Sequence, residues 1–301
     1  MEFIAGAGST NIDLLYQGMP KIPDIGEEVY SKDFSLQLGG GVPATLINVS
    51  RLGIKTKLAT ELGSDIFSLF AKGEYEKRGI SPVNLYNSDD MPVNITSAII
   101  LKNDRSFISY GKGSITPDDK AKEAFYNMAK GSKITLMQFG GFTEVYKKLK
   151  EEGTILVFDT GWDDEMSLEK YGDYLSLADY YTPNKKEALK ITGAKTAEEA
   201  AKSLEKYFSK VVIKLDKEGC LGVDEGKLIY VKSLNEFKAV DSTGAGDAFL
   251  AGFIYGLFYN YSLKDCIEFG NITGGKAVTK AGALSAYLNE KELLEYKRNI
   301  K

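Results

Sequence analysis

The sequence predicts an α/β protein with a mainly parallel central sheet, helices on both faces and a small β-sheet lid. Two observations lead there. Short apolar runs rich in β-branched residues alternate with longer stretches of helical period, the arrangement that builds parallel sheets covered on both sides. Two stretches, residues 12–38 and 92–112, break that rhythm: partly alternating patterns and turn residues such as Pro20, Pro23, Gly26, Asn103 and Asp104 replace helical period. Antiparallel strands inserted between parallel units do not readily join the same sheet. They are expected to form a separate lid over a cleft, within one α/β domain spanning the 301 residues. A chain of this length buries about three quarters of its unfolded surface and needs no metal or disulfide staple.

In chain order, residues 2–7 read as a first buried strand, 45–52 as a helix and 57–61 as a strand. Residues 66–78 read as a helix with apolar positions Ile66, Phe67, Leu69, Phe70 and Tyr75. Further buried strands are expected at 133–139, 154–159 and 210–215, separated by helical segments at 142–151 and 196–208. The last third reads as two long helices, near 245–259 and 263–279.

The chain contains no histidine. That excludes Ser-His-Asp and Cys-His nucleophile systems, His-ligated zinc and imidazole acid–base chemistry. Catalysis must then run on carboxylates, lysines, backbone dipoles or a metal held by oxygen. The net charge of −4 comes from interspersed lysines and carboxylates, so neither nucleic acid nor a membrane surface is expected as a partner. Cys220 and Cys266 stand alone, as in a reducing compartment. No export signal is visible at the N-terminus, and no apolar run approaches the ~20 residues of a membrane span. A cytoplasmic location is expected, which makes the glycosylation-like matches at Asn48, Asn94 and Asn271 chance occurrences.

Four glycine-rich segments could cradle a phosphate. Gly6-Ala7-Gly8-Ser9-Thr10-Asn11 follows a strand but has Asn11 where a dinucleotide fingerprint needs its third glycine, and no helical pattern follows. Gly270-Asn271-Ile272-Thr273-Gly274-Gly275-Lys276-Ala277 nearly spells a Walker A loop, yet Ala277 replaces the Mg²⁺-ligating hydroxyl and the segment continues a helix. Its small residues are read as permitting close helix packing. Gly39, Gly40 and Gly41 precede a helix and either form a tight turn or let a ligand approach the backbone.

The fourth segment, residues 241–249, places Gly244-Ala245-Gly246 where an apolar helix begins. Their free amides can converge on an anion, aided by the helix dipole. Asp247, in the same first turn, is stabilised as the anion and could accept a proton from a hydroxyl. An anion hole beside a carboxylate base is what phosphoryl transfer to an alcohol requires.

With these segments the chain resembles the ribokinase / phosphofructokinase-B family of carbohydrate kinases. The resemblance runs through Gly8-Ser9-Thr10-Asn11-Ile12-Asp13, Gly39-Gly40-Gly41, Arg51-Leu52-Gly53 and Gly63-Ser64-Asp65. It resumes at Thr182-Pro183-Asn184-Lys185-Lys186-Glu187 and at residues 241–249. It implies a ribokinase-like three-layer sandwich with a β lid that often pairs two subunits into a homodimer, and transfer of the γ-phosphate of ATP to a sugar hydroxyl.

Carried over by position, Asp247 is the implied base, and Gly244, Ala245 and Gly246 form the anion hole. Asn11 and Asp13 bind sugar hydroxyls, as an ionised carboxylate can, and Gly39, Gly40 and Gly41 let the sugar lie close. Asn184 and Glu187 match an element that helps hold Mg²⁺ and phosphate through water; alone they would read as a helix cap with a surface charge. Lys214, Asp216 and Gly219 align with the nucleotide-side strand end, and Asn271 with a residue near the adenine, although a strand–turn–strand or an interior helix asparagine would look the same. Asp241 and Thr243 match positions that contact a monovalent cation such as K⁺, largely through backbone oxygens.

Two departures stand out. Ala44 replaces the usual asparagine, removing one sugar-hydroxyl partner, and Asp216 replaces a common glycine. Arg105 and Lys112, in the second lid segment, either reach a carboxylate or phosphate on the acceptor or line a solvated lid edge. The leading expectation is a Mg²⁺- and ATP-dependent kinase of a small sugar. The alternatives are a nucleoside or sugar-acid kinase of the same fold and, in another class, a non-catalytic sugar-binding protein.

Overall fold

The computed structural model describes residues 2–88, 90–102, 105–111, 116–208 and 210–300. Six parallel strands form the central sheet, in spatial order Tyr180–Tyr181, Ile155–Phe158, Ile134–Met137, Ile4–Ala7, Thr56–Thr60 and Val83–Asn84. Alternation along these strands divides the core. Ile4, Leu58, Ile134, Leu136 and Val157 join one apolar cluster, whereas Ala5, Ala7, Ala59, Met137, Leu156 and Phe158 join another on the opposite face. The first is covered by the helices Val42–Arg51, Ile66–Glu76, Ala245–Phe258, Leu263–Ala277 and Glu290–Asn299, and the second by Asp119–Ala129, Thr143–Glu151, Leu168–Leu177, Lys185–Thr192 and Ala197–Leu204. The result is the expected helix–sheet–helix layering.

The strand order places the cleft. From Ile4–Ala7 the chain adds Thr56–Thr60 and Val83–Asn84 on one side, then crosses over to add Ile134–Met137 and its two successors on the other. Ligands of open α/β sheets bind at such a reversal, outside the carboxyl ends of the strands. There, Ser9 N–H donates to Gln138 Oε1 (2.8 Å), tying the two diverging strands together.

The interrupting stretches form their own sheet, in order Asp33–Leu38, Asn11–Gln17, Asn94–Ile100 and Arg105–Tyr110. One pairing differs from the antiparallel expectation: Asn11–Gln17 and Asn94–Ile100 run parallel. They belong to different units of the chain, and the intervening helices and strands supply the crossover that parallel neighbours need. Asn103, Asp104 and Lys112 lie outside the described residues. An antiparallel meander, Lys210–Lys214, Cys220–Asp224 and Lys227–Val231, extends the central sheet through a bridge between Asn184 and Lys214.

The helix Ala245–Phe258 is buried on all sides from Ala248 onward. It lies against Leu263–Ala277 through glycines: a Cβ on Gly252 would stand 2.4 Å from the Phe269 carbonyl oxygen, and one on Gly256 2.7 Å from Cys266 Sγ. Gly270 meets Phe249 in the same way, so the Walker-like segment is a helix–helix contact. Two expected apolar positions, Ile66 and Leu69, face outward at 75% and 57% exposure, because Ser68, Ala71 and Tyr75 form the buried stripe of their helix. Among the described residues no helix is long and apolar enough to cross a membrane. Gly252→Val should lower stability by about 1–3 kcal/mol through overpacking. Urea denaturation checks this, and an unchanged midpoint would count against the packing.

Candidate active site

Two of the glycine segments, far apart in sequence, meet at one carboxylate. Gly244, with φ +74°, caps the N-terminus of Ala245–Phe258, and a Cβ there would lie 2.6 Å from the Ala283 carbonyl oxygen. Only glycine fits. Asp247 leaves this first turn and accepts a hydrogen bond from Gly41 N–H at 3.0 Å. Gly41, with φ +96°, caps the helix Val42–Arg51, so the positive ends of two helix dipoles converge on Asp247. A Cβ on Gly40 would stand 2.7 Å from Asp247 Oδ2. Of the three amides expected to form an anion hole, that of Ala245 turns back to the Ser242 carbonyl (3.2 Å).

Asp247 is half-buried. Removal from water, then the charge of Asp159, pushes its carboxyl up to about 7, against the pull of the Gly41 amide and Lys214. Such a group gains or loses a proton near neutrality, which suits a base in a chain without histidine.

The inner face of the lid sheet carries the residues expected on the acceptor side. Asn11, Asp13, Asn94, Thr96, Phe107 and Ser109 line a cavity of about 520 Å³ bounded by Gly40 and Thr243. Asn11 is fixed from both ends: its Nδ2 donates to Gly40 O and its Oδ1 accepts from Asn94 Nδ2, each at 2.9 Å. Gly39 is needed beside it, since a Cβ there would come within 2.6 Å of Asp13 Oδ1. Burial, helped by the charge of Asp241, pushes the Asp13 carboxyl up to about 6. A second cavity, of about 650 Å³, shares Asn11 and Gly40 with the first, is lined by Asp247, and runs over the strand ends past Gln138 and Asp159 to Trp162.

Arg105 does not extend into either cavity. Its guanidinium is bound to the Asp241 carboxylate and, through Nη2, to Ser242 Oγ at 2.9 Å. Asp241 also accepts from Thr243 N–H, Thr243 Oγ1 and Gly282 N–H. Burial would raise its pKa, but these donors and Arg105 hold it below the usual carboxylate range. The side chain is thereby committed to protein groups, so a monovalent ion beside it would rest on backbone oxygens.

On the other side of Gly246 lies a cavity of about 530 Å³, lined by Asn184, Lys214, Asp216, Gly219, Asn271 and residues of both glycine-packed helices. Lys214 Nζ donates to Asp159 Oδ2 (3.0 Å) and lies 3.4 Å from where a Gly246 Cβ would be. Burial opposes the lysine's charge, yet Asp159 and Glu187 together raise its pKa. Asn184 and Glu187 form a complete capping box on Lys185–Thr192. Glu187 is no surface charge: it is 5% exposed, and burial together with Asp159 lifts its pKa. Asn271 lines the cavity, but its amide donates to the carbonyls of Val231 and Lys232 (3.1 and 3.2 Å), holding the wall.

Three residues not anticipated from the sequence complete the site. Asp159 stands at the carboxyl end of an anticipated strand, which was the available signal. Asn94 and Gln138 gave none, because their roles arise from pairing with Asn11 and Ser9 across the fold. The Asp216 departure has a structural consequence, a left-handed backbone with φ +52°. Asp216→Gly should stabilise the protein by about 1 kcal/mol by relieving this conformation. A thermal midpoint that does not rise would oppose it.

Residues 1–290 match the pfkB family of carbohydrate kinases. The chain is 27% identical over 301 residues to a ribokinase of Haemophilus influenzae, covering 96% of each. It is 27% identical over 285 residues to a 2-dehydro-3-deoxygluconokinase of Bacillus subtilis, covering 87% of each. Among solved structures, ribokinase of Arabidopsis thaliana complexed with ribose and ATP superposes with a TM-score of 0.82 at 23% identity, covering 99% of both chains. A match over nearly the whole chain, on the fold just described, makes this protein a member of the pfkB family of carbohydrate kinases, phosphotransferases with an alcohol acceptor.

Proposed function

We propose that the protein transfers the γ-phosphate of ATP to a hydroxyl of a small neutral sugar, with Asp247 as the base. The observation that carries this reading is the position of Asp247. It borders the larger acceptor-side cavity, is held by the Gly41 amide, and belongs to the helix turn whose Gly246 borders the opposite cavity. A hydroxyl beside Asp247 would give its proton to the carboxylate as the oxygen attacks phosphorus. Negative charge accumulating on the transferred group would be met by the amides of Gly244 and Gly246 and the ammonium of Lys214. The third cavity, between the meander and the two glycine-packed helices, would take the nucleotide. Asn11 and Asp13 would orient non-reacting hydroxyls.

Asp159 and Glu187 fit a hard divalent cation. They are neighbouring like charges whose mutual repulsion raises the Glu187 pKa, and among the described residues no three metal-ligating side chains cluster. They would hold Mg²⁺ largely through water, and the bound ion would neutralise phosphate charge. A neutral acceptor is favoured because Asp13, Asp159, Asp163 and Asp247 line the acceptor cavities. The lysine there, Lys170, is already paired with Asp163 at 2.6 Å. A homodimer through the lid is supported by its outer face, where strand register gathers Leu14, Tyr16, Phe34, Leu36, Ile99 and Ile108.

Release of ADP from ATP should be measured with D-ribose, D-fructose, 2-dehydro-3-deoxygluconate and inosine. A neutral sugar is expected to turn over best, and turnover restricted to the sugar acid or the nucleoside would overturn that choice. Asp247→Asn should reduce kcat by about 10²–10⁴ with folding intact; near-full activity would remove the assigned role. Since Asp247 works as the anion and titrates at about 7, kcat/KM should rise as pH increases through that value and then level off. A profile flat from about pH 5 to 8 would exclude it as the titrating base.

A further inference from the structure

We propose that Thr45 reads a non-reacting hydroxyl of the acceptor and so helps set which sugar is phosphorylated; this rests on the kinase reading above. Thr45 sits in the helix Val42–Arg51, is 1% exposed, and lines the larger acceptor cavity together with Asn11, Gly40, Gly41 and Asp247. Its Oγ1 is buried and, among the described residues, has no hydrogen-bond partner. A threonine hydroxyl within a helix ordinarily folds back onto a carbonyl three or four residues earlier. Here the Gly41 carbonyl accepts the Thr45 backbone N–H (3.0 Å), and the hydroxyl makes no such bond.

The side-chain amides of the cavity wall are occupied. Asn11 is tied to Gly40 and Asn94, and Gln138 to Ser9. The other buried side-chain atom without a partner, Arg78 Nε, lines none of the cavities described above. An idle buried hydroxyl costs stability, and a ligand that completes it recovers that cost. Threonine also has two accessible χ1 rotamers in a helix, so a change of rotamer offers the hydroxyl a second direction in which to meet a ligand. Ala44, fully buried and next in sequence, offers a sugar no polar atom from its side chain. Thr45 supplies a hydrogen-bonding group one position on.

The test is Thr45→Val, which keeps the shape and removes the hydroxyl. Turnover is followed by ADP release with D-ribose, D-fructose and their single-deoxy analogues, and the ligand-free thermal midpoint is measured alongside. Thr45→Val should lower kcat/KM about tenfold, through KM, with kcat within about twofold. The ligand-free midpoint should hold or rise, since an unpaired hydroxyl has been replaced by a methyl. One deoxy analogue should lose about tenfold with the wild type but not with the variant, and Thr45→Ser should restore the discrimination. An unchanged KM in Thr45→Val, or a KM rise accompanied by a fall in the midpoint, would overturn the proposal. Failure of the wild type on every acceptor would instead overturn the kinase reading itself.

Discussion

The bond from Gly41 N–H to Asp247 joins the early part of the chain to its last third, and the cleft is organised around it. Two helix N-termini face one carboxylate, so the partial positive charge of both acts on the same group. Neither helix could approach so closely with side chains in the way. Gly41 and Gly244 occupy left-handed conformations, and Gly40 is in contact with the carboxylate itself. The position of this junction is fixed from behind. The helix that carries Asp247 is clamped to its neighbour through Gly252 and Gly256, and its apolar body is immersed in one of the two cores. A small rotation of that helix would open voids or clashes along its whole length, so the carboxylate inherits the rigidity of the core.

Without histidine, proton affinity near neutrality has to be made from carboxylates, and the site does so by burial and repulsion. Asp247 is raised by withdrawal from water and by Asp159, and Asp13 by burial and by Asp241. Each source of repulsion is itself held by a cation: Asp159 by Lys214, Asp241 by Arg105. This division keeps Asp241 ionised as an anchor while leaving Asp13 and Asp247 near the point of titration. It also explains why Arg105, read from the sequence either as a group for the acceptor or as part of a solvated lid edge, is bound to Asp241. A buried carboxylate already fed by Thr243 and Gly282 is a stronger partner than open cleft.

The layered fold was legible in the sequence because buried parallel strands leave short β-branched runs that few other structures produce. Ile4–Ala7, Ile134–Met137 and Ile155–Phe158 all fall within their expected ranges. Helices such as Asp119–Ala129, Leu168–Leu177 and Glu290–Asn299 were not anticipated. They lie on the outside of the sandwich, bury three or four residues at most, and are marked mainly by caps at Asp118, Ser167 and Asn289. The parallel pairing at the centre of the lid was also hidden, since strand direction depends on which distant segment becomes the neighbour. Within the site, residues that act through backbone geometry were readable as glycine patterns. Those that act through partnership were not. Gln138 is unremarkable until Ser9 is found against it, and Asp159 until Lys214 is.

That difference separates the two halves of the cleft. The side proposed for phosphoryl transfer is built from main-chain amides and turns, which demand particular residues at particular spacings and so leave a motif. The acceptor side is built from side chains on the lid's inner face and on one helix turn, where several residue types fill the same space. Ala44 shows the consequence: a position expected to carry a hydrogen-bonding side chain holds a fully buried methyl. Changes of that kind leave Gly41, Gly244 and Asp247 where they are, since neither the helix cap nor the core contact depends on them. Residues around the acceptor side can therefore differ without disturbing the junction of Gly41, Gly244 and Asp247. The acceptor has to be inferred from which polar atoms the protein leaves unpaired around Asp247, and the family motif is silent on that point.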